Sequence, residues 1–267
     1  MYQSEIKKFA DQAQQRWQLM VARPGALLVG AMLAGAYVGL GIILIMTIGQ
    51  DLPDEFRKLV MGASFGIALT LVVFAGSELF TGYTMYGTFA VLKRELTVSK
   101  VVKLCLWVWL GNLLGALVLA VLYKLAAGGL VKNTDTLLQA IAYKKMNSEP
   151  VVLFFRAILC NWLVCLAIWM SARMNSDAAR CIAIFWCLLA FIASGYEHSI
   201  ANMSVFILAL LSPAAEGITL VGAAHNLLWV TLGNTVGGVF FVAMSYWYIS
   251  APVKSTQLAA DSELRGR

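Results

Sequence analysis

Charge is what this chain has least of. Asp, Glu, Lys and Arg make up 13% of its 267 residues, about half the share usual in a soluble globular protein. Other absences narrow the field further. The five cysteines (Cys105, Cys160, Cys165, Cys181, Cys187) lie in or beside apolar runs and include no Cys-x-x-Cys or Cys/His cluster. They read as small packing residues, which sets aside a disulfide framework or a metal centre. No basic run is interleaved with aromatics, so the net charge of +6 does not point to nucleic acid. No His-Glu-x-x-His motif and no nucleophile constellation are present, which argues against an intramembrane enzyme built on Glu197 and His198. No cofactor is expected.

What is present is apolar length. With 60% hydrophobic residues and a mean hydropathy of +0.77, the chain reads as a polytopic all-α membrane protein with no separate soluble domain. Uncharged runs place six crossings at 25–49, 59–92, 104–123, 150–172, 181–215 and 217–250, the fourth interrupted near its start by Arg156. An even number puts both termini on one side. Thirteen Lys and Arg fall on that side and six on the other, so the termini are expected in the cytoplasm. Segment 1–24 carries Ile6, Phe9, Ala10, Ala13, Trp17 and Met20 at helical spacing, as an amphipathic helix on the membrane interface does. Lys7, Lys8, Asp11 and Arg16 break up any cleavable signal core. Residues 251–267 form a cytoplasmic tail in this reading.

Two of the six runs are too long for one crossing and too short for two. Residues 59–92 contain a single charge, Glu78, and residues 181–215 a single acid, Glu197, followed at once by His198. A spanning helix needs only about 20 residues, so each run is expected to enter as a helix, break at depth and resume as a second half-helix. Paired broken helices with polar residues at the break mark a midplane permeation or binding site.

The chain also repeats itself. WVWLGNLLGA (107–116) aligns without gaps to WVTLGNTVGG (229–238), and Gly76-Ser77-Glu78 corresponds to Gly195-Tyr196-Glu197. Units 25–127 and 150–250 each hold three crossings, an odd number, so the second must be inverted relative to the first. Both breaks then meet near the midplane. Glycines at close spacing (Gly35, Gly39, Gly41; Gly111, Gly115; Gly233, Gly237, Gly238) allow the surrounding helices to approach closely.

Half-helices that restart at depth, near Thr81-Gly82 and Ser199-Ala201, turn unpaired amides and positive dipole ends toward the site, which favours an anion. His198 is the leading candidate for donating to that anion or exchanging a proton with it; a neutral histidine satisfied by a backbone carbonyl is the structural alternative. For Glu78 and Glu197 we expect a structural role, either capping free amides at the break or lying neutral against a neighbouring helix. Asn112, Asn161 and Asn234 sit in apolar helices and must find partners. Asn161 and Asn234 read equally as pathway groups or as helix-to-helix hydrogen bonds. His225 is expected at the interface, and Arg156, with Lys144 and Lys145, at an outer mouth attractive to anions.

FAGSELFTG (74–82), AILCNWLVCLA (157–167) and ASGYEHSIANM (193–203) resemble the signature segments of the formate/nitrite transporter family. Within it, GAYVGLGIIL, CNWLVCLAIWM and HNLLWVTLGNTVGG are most similar to bacterial nitrite channels. The resemblance implies an aquaporin-like fold, a homopentamer in the inner membrane with one pore per protomer, and passage of nitrite, formate or hydrosulfide. It also implies that His198 is the central histidine, Thr81 its partner, and Lys145 the anion-attracting lysine. By the same resemblance Phe65, Leu69, Leu79, Phe80, Val164 and Phe191 form hydrophobic constrictions. A neutral-solute aquaporin-type channel shares the plan but expects Asn-Pro-Ala signatures, and this chain has no Asn-Pro. An ammonium channel expects two facing histidines, and only His198 is at depth.

Overall fold

The computed structural model describes residues 2–133 and 135–251, and among them every regular element is helical. Apart from Ala251, the expected tail lies outside the described residues. The helices are α1 (Gln3–Ala22), α2 (Pro24–Gln50), α3 (Asp54–Ser64), α4 (Gly66–Ala75), α5 (Phe80–Leu92), α6 (Val98–Leu125), α7 (Leu137–Met146), α8 (Pro150–Ala172), α9 (Asp177–Ala193), α10 (Ser199–Leu211) and α11 (Leu220–Val236). α11 continues through a π-helical segment, Gly237–Met244, into α12 (Ser245–Ile249). Five stretches are long and apolar enough to cross a membrane: Pro24–Gln50, Asp54–Ala75, Val98–Leu125, Pro150–Ala172 and Leu220–Ile249. The remaining apolar run is divided between α9 and α10, of 17 and 13 residues.

Helix starts follow the local chemistry. Pro24 and Pro150 open α2 and α8, where their missing amides cost nothing, and Thr97, Thr136 and Thr219 cap α6, α7 and α11 through their side chains. Inside the bundle, α2 packs on α6 and α8 on α11 at a separation that only glycine permits. A Cβ on Gly115 would lie 1.8 Å from the Met32 carbonyl oxygen, and one on Gly233 2.3 Å from that of Phe154. With lipid as apolar as the side chains, such close backbone approach is a main source of helix association.

α1 is tied onto this bundle rather than projecting from it. It buries Ile6, Phe9, Ala10 and Ala13, with Phe9 stacked on Tyr86 at 5.0 Å, while Gln3 Nε2 donates to the Ser250 carbonyl at 2.7 Å.

Candidate functional site

Both long apolar runs are interrupted, and by the same device. α4 ends at Gly76 (φ 75°) and α9 is followed by Gly195 (φ 70°), a left-handed backbone that glycine adopts without a Cβ penalty. One residue further on, Ser77 N–H donates to Val72 O and Tyr196 N–H to Phe191 O, both at 3.1 Å, closing the helix end. The next residue in each is the glutamate. Glu78 N–H donates to Gly30 O at 3.1 Å, and Glu197 N–H to Arg156 O at 3.3 Å.

The amides that reopen the helices are capped by asparagines, not by the glutamates. Asn112 Oδ1 accepts from Phe80 N–H at 3.0 Å while its Nδ2 donates to Ala31 O and Glu78 O. Asn234 Oδ1 accepts from Ser199 N–H at 2.9 Å while its Nδ2 donates to Ala157 O and Glu197 O. Each asparagine therefore satisfies one donor and one acceptor that the break leaves open and ties them to a carbonyl of a neighbouring helix, Ala31 of α2 or Ala157 of α8, with no exposure to solvent. The expected capping by Glu78 and Glu197 is corrected on this point: neither side chain accepts from an amide at its break. A buried carboxylate is tolerable when a cation reaches it. Arg16 of α1 pairs with Glu78 at 2.6 Å and Lys145 of α7 with Glu197 at 2.8 Å. Tyr83 O–H donates to Glu78, and Asn202 Nδ2 to Glu197.

The two restarting helices meet end to end. Thr81, second residue of α5, places Oγ1 3.2 Å from Nε2 of His198, the residue that caps α10. His198 Nδ1 accepts from Ala201 N–H at 3.1 Å, so in the neutral ring the proton sits on Nε2, facing Thr81. The amides of Thr81 and Ile200 have no acceptor among the described residues. Two positive helix ends and two unsatisfied donors thus converge where His198 and Thr81 touch.

Space lies against His198 and Leu79, while Thr81 is fully buried and borders none of it. A cavity of about 360 Å³ reaches His198 and Phe191 from one side, lined also by Arg57, Lys144, Lys145 and Arg156. A second, of about 270 Å³, reaches Leu79 from the other, past Lys8, Arg16 and Glu78. Between them lies a void of about 10 Å³ bounded by His198, Phe65, Leu69, Leu79, Val164 and Phe191. It has room for about one water at most. Phe80 is buried but does not border this void, because as the first residue of α5 it follows Leu79 onto another face.

Other candidates are placed elsewhere. Asn161 borders none of these spaces; its Nδ2 donates to Thr81 O, Thr84 Oγ1 and Asn234 O, which ties the start of α5 to α11. Asn234 likewise holds the break and lines no cavity. His225 is half-buried 3.2 Å from the Ser148 carbonyl oxygen. Arg16 and Asn202 carry a polar role that spacing alone did not reveal, and the available signal was only that Glu78 and Glu197 each needed a partner.

Comparison with known proteins agrees over nearly the whole chain. A family model described as "Formate/nitrite transporter" matches residues 3–248. The "Nitrite transporter NirC" of Escherichia coli (strain K12) is 49% identical over 261 residues, covering 98% of this chain and 96% of that one. A solved "FNT family ion channel" superposes with a TM-score of 0.91 at 49% identity, covering 92% of this chain and 98% of the other. A "Pentameric formate channel with formate bound" superposes at 0.72 with 29% identity, covering 84% and 96%.

Proposed function

The chain belongs to the formate/nitrite transporter family, and from that premise we infer that it carries small monovalent anions, nitrite first and formate next, across the bacterial inner membrane. Nitrite is the cargo named for the Escherichia coli relative and formate that of the solved pentameric channel. The observation that carries the reading is the meeting of the α5 and α10 N-termini at the Thr81–His198 contact, 3.2 Å across, with a cavity on either side. Positive helix ends attract an anion and repel a cation, and the low dielectric around them strengthens the selection. His198 Nε2–H and the Thr81 hydroxyl are the donors offered to an anion that has shed its water at Phe65, Leu79 and Phe191. Lys145 holds Glu197 in place and, with Arg156 and Lys144, makes the larger mouth attractive to anions. Glu78 and Glu197 stabilise the breaks through their cation partners, while Asn161 and Asn234 support the pathway from behind.

The same reading takes the chain as six crossings in two inverted three-helix repeats with broken second and fifth members. The hydrogen bonds of Asn112 and Asn234 recur at a displacement of 119 to 126 residues. Trp109 Nε1 donates to Thr231 Oγ1 at 3.2 Å, and these two residues occupy the same place in their repeats, as residues beside a twofold axis do. The termini face the cytoplasm and five protomers assemble, each with its own pathway.

Proton linkage through His198 would demand more than the observed ring position. With Nδ1 accepting from Ala201 N–H, a second proton on that nitrogen would displace the cap, so the ring must swing off α10 to relay one. In planar bilayers with a tenfold sodium nitrite gradient, the reversal potential should approach the anion limit of about 59 mV in magnitude. A value of cation sign would refute the assignment.

A further inference from the structure

The two mouths differ in charge in a way that monovalent conduction does not require. Around the larger cavity stand Arg57, Lys58, Lys144, Lys145 and Arg156 with one carboxylate, Glu197. Lys145 is taken by Glu197 and Arg57 by Asp54, outside the cavity wall. Among the described residues Lys58, Lys144 and Arg156 have no carboxylate within ion-pair distance. In the smaller cavity Arg16 is taken by Glu78 and Arg180 by Asp177, which leaves Lys8 alone. One mouth therefore has three uncompensated positive charges and the other has one.

We propose that the larger vestibule is an inhibitory site for tetrahedral divalent oxyanions, of the sulfate or hydrogen phosphate type, held by Arg156, Lys144 and Lys58 and acting from that side only. A volume of about 360 Å³ is many times the roughly 10–15 Å³ that one water needs, enough for such an ion with part of its hydration shell. Doubling the ligand charge doubles its attraction to every cation present, so excess charge selects for divalency. Arg156 adds a planar fork that matches two oxygens of an oxyanion at once. Onward movement is closed: the void beyond admits about one water, its walls are apolar, and stripping two charges costs far more than stripping one. The ion stops above His198, on the path that nitrite must take. This inference rests on the conduction reading above for its consequence, but not for the binding itself.

The experiment has two arms. In the first, nitrite current is recorded in planar bilayers with millimolar sodium sulfate added to one side and then the other, ionic strength being matched with sodium chloride. Sulfate on one side should lower the current at least about threefold and on the other side hardly at all, beyond the chloride control. Lys144→Gln and Arg156→Gln should each weaken the apparent sulfate affinity about threefold to tenfold, while Lys8→Gln shifts it less than about twofold. Equal reduction by sulfate and matched chloride would mean screening only and would overturn the proposal. So would sulfate-carried current, or unchanged block in both Lys144→Gln and Arg156→Gln. In the second arm, sulfate is titrated calorimetrically into the purified detergent-solubilised protein, which needs no transport. Saturable binding weakened by Lys144→Gln supports the site even if nitrite flux is absent, in which case the conduction reading alone fails. No saturable binding in this arm overturns the site whatever the flux.

Discussion

The break after α4 and the break after α9 share a frame and differ in what they put at the centre. Each has a glycine at positive φ, a glutamate held by a cation from a separate helix, and an asparagine that satisfies three backbone groups. At corresponding positions, however, the first carries Leu79 and the second His198. The first thus contributes an apolar wall and the second a hydrogen-bonding imidazole. The shared features make the backbone of a broken helix tolerable in an apolar medium, and the residues that differ are those that border the central void. The second break is also the more tightly tied. Asn202 joins Glu197 to Asn226, which donates to the Lys145 carbonyl, so α7, α10 and α11 close one network.

Removing the shared frame should have the largest effect and fall on both breaks alike. Asn112→Leu and Asn234→Leu keep the approximate volume but strand one amide and one carbonyl at each break, for a loss of about 3–5 kcal/mol. Thermal unfolding of the detergent-solubilised protein, read by tryptophan fluorescence, measures this. Similar large losses at both sites would uphold the equivalence of the frames, and a harmless Asn112→Leu would break it.

The cation partners should separate the two. Lys145 is 19% exposed and Glu197 4%, so Lys145→Met leaves a deeply buried carboxylate unpaired and should cost about 2–3 kcal/mol. Arg16 is 35% exposed and its loss is softened by water, so Arg16→Met should cost about 1 kcal/mol or less. Chemical denaturation of the two variants side by side gives the difference, and an equal or reversed order would contradict it.

Between the two cation variants falls the cost of the turn. A Cβ at Gly76 or Gly195 meets nothing within 4 Å, so Ala at either should lose only the left-handed backbone penalty of about 1–2 kcal/mol. Melting temperatures of both variants check this, and a cost at one site alone would show that the other backbone adapts.

The smallest effect on stability is expected where the breaks differ most. His198→Asn keeps a side chain that caps a helix well, so stability should change by less than about 1 kcal/mol. Its flux signature is the informative part. If His198 passes protons, nitrite entry into liposomes loses its dependence on external pH and internal acidification stops; if it only offers a hydrogen bond, both persist. Unchanged proton movement in the variant leaves Glu197 as the group to test next.

Several elements are legible in the order of residues alone. Run lengths and charge spacing located α2 and α8 to within one residue at each end, while α6 begins six residues before the expected 104–123, and the restarts expected near Thr81 and Ser199 match helices that begin at Phe80 and Ser199. The recurrence of LGN in 110–112 and 232–234 signalled that Asn112 and Asn234 share a task, though not that they cap the breaks. Glu78 and Glu197 do not take that task, although a carboxylate beside free amides is a plausible cap, because a cation from a distant segment reaches each of them. Arg16 lies 62 positions before Glu78 and Lys145 52 before Glu197, and no local pattern spans such gaps. Phe80 could not be told from Leu79 for a related reason: at a helix start adjacent residues diverge onto different faces, and the direction is set by how α5 packs.

By itself, then, the chain's order of residues determined that it is helical, apolar and broken twice, because these follow from hydropathy, helix length and the conformational freedom of glycine, all local properties. Only the tertiary structure decided that Asn112 and Asn234 hold the breaks, that Arg16 and Lys145 neutralise the glutamates, and that the ends of α5 and α10 meet at Thr81 and His198. Those outcomes depend on distances between segments far apart in the chain. Such distances arise when buried donors, acceptors and charges, cut off from water, are satisfied together by whichever partners the packed helices bring within about 3 Å.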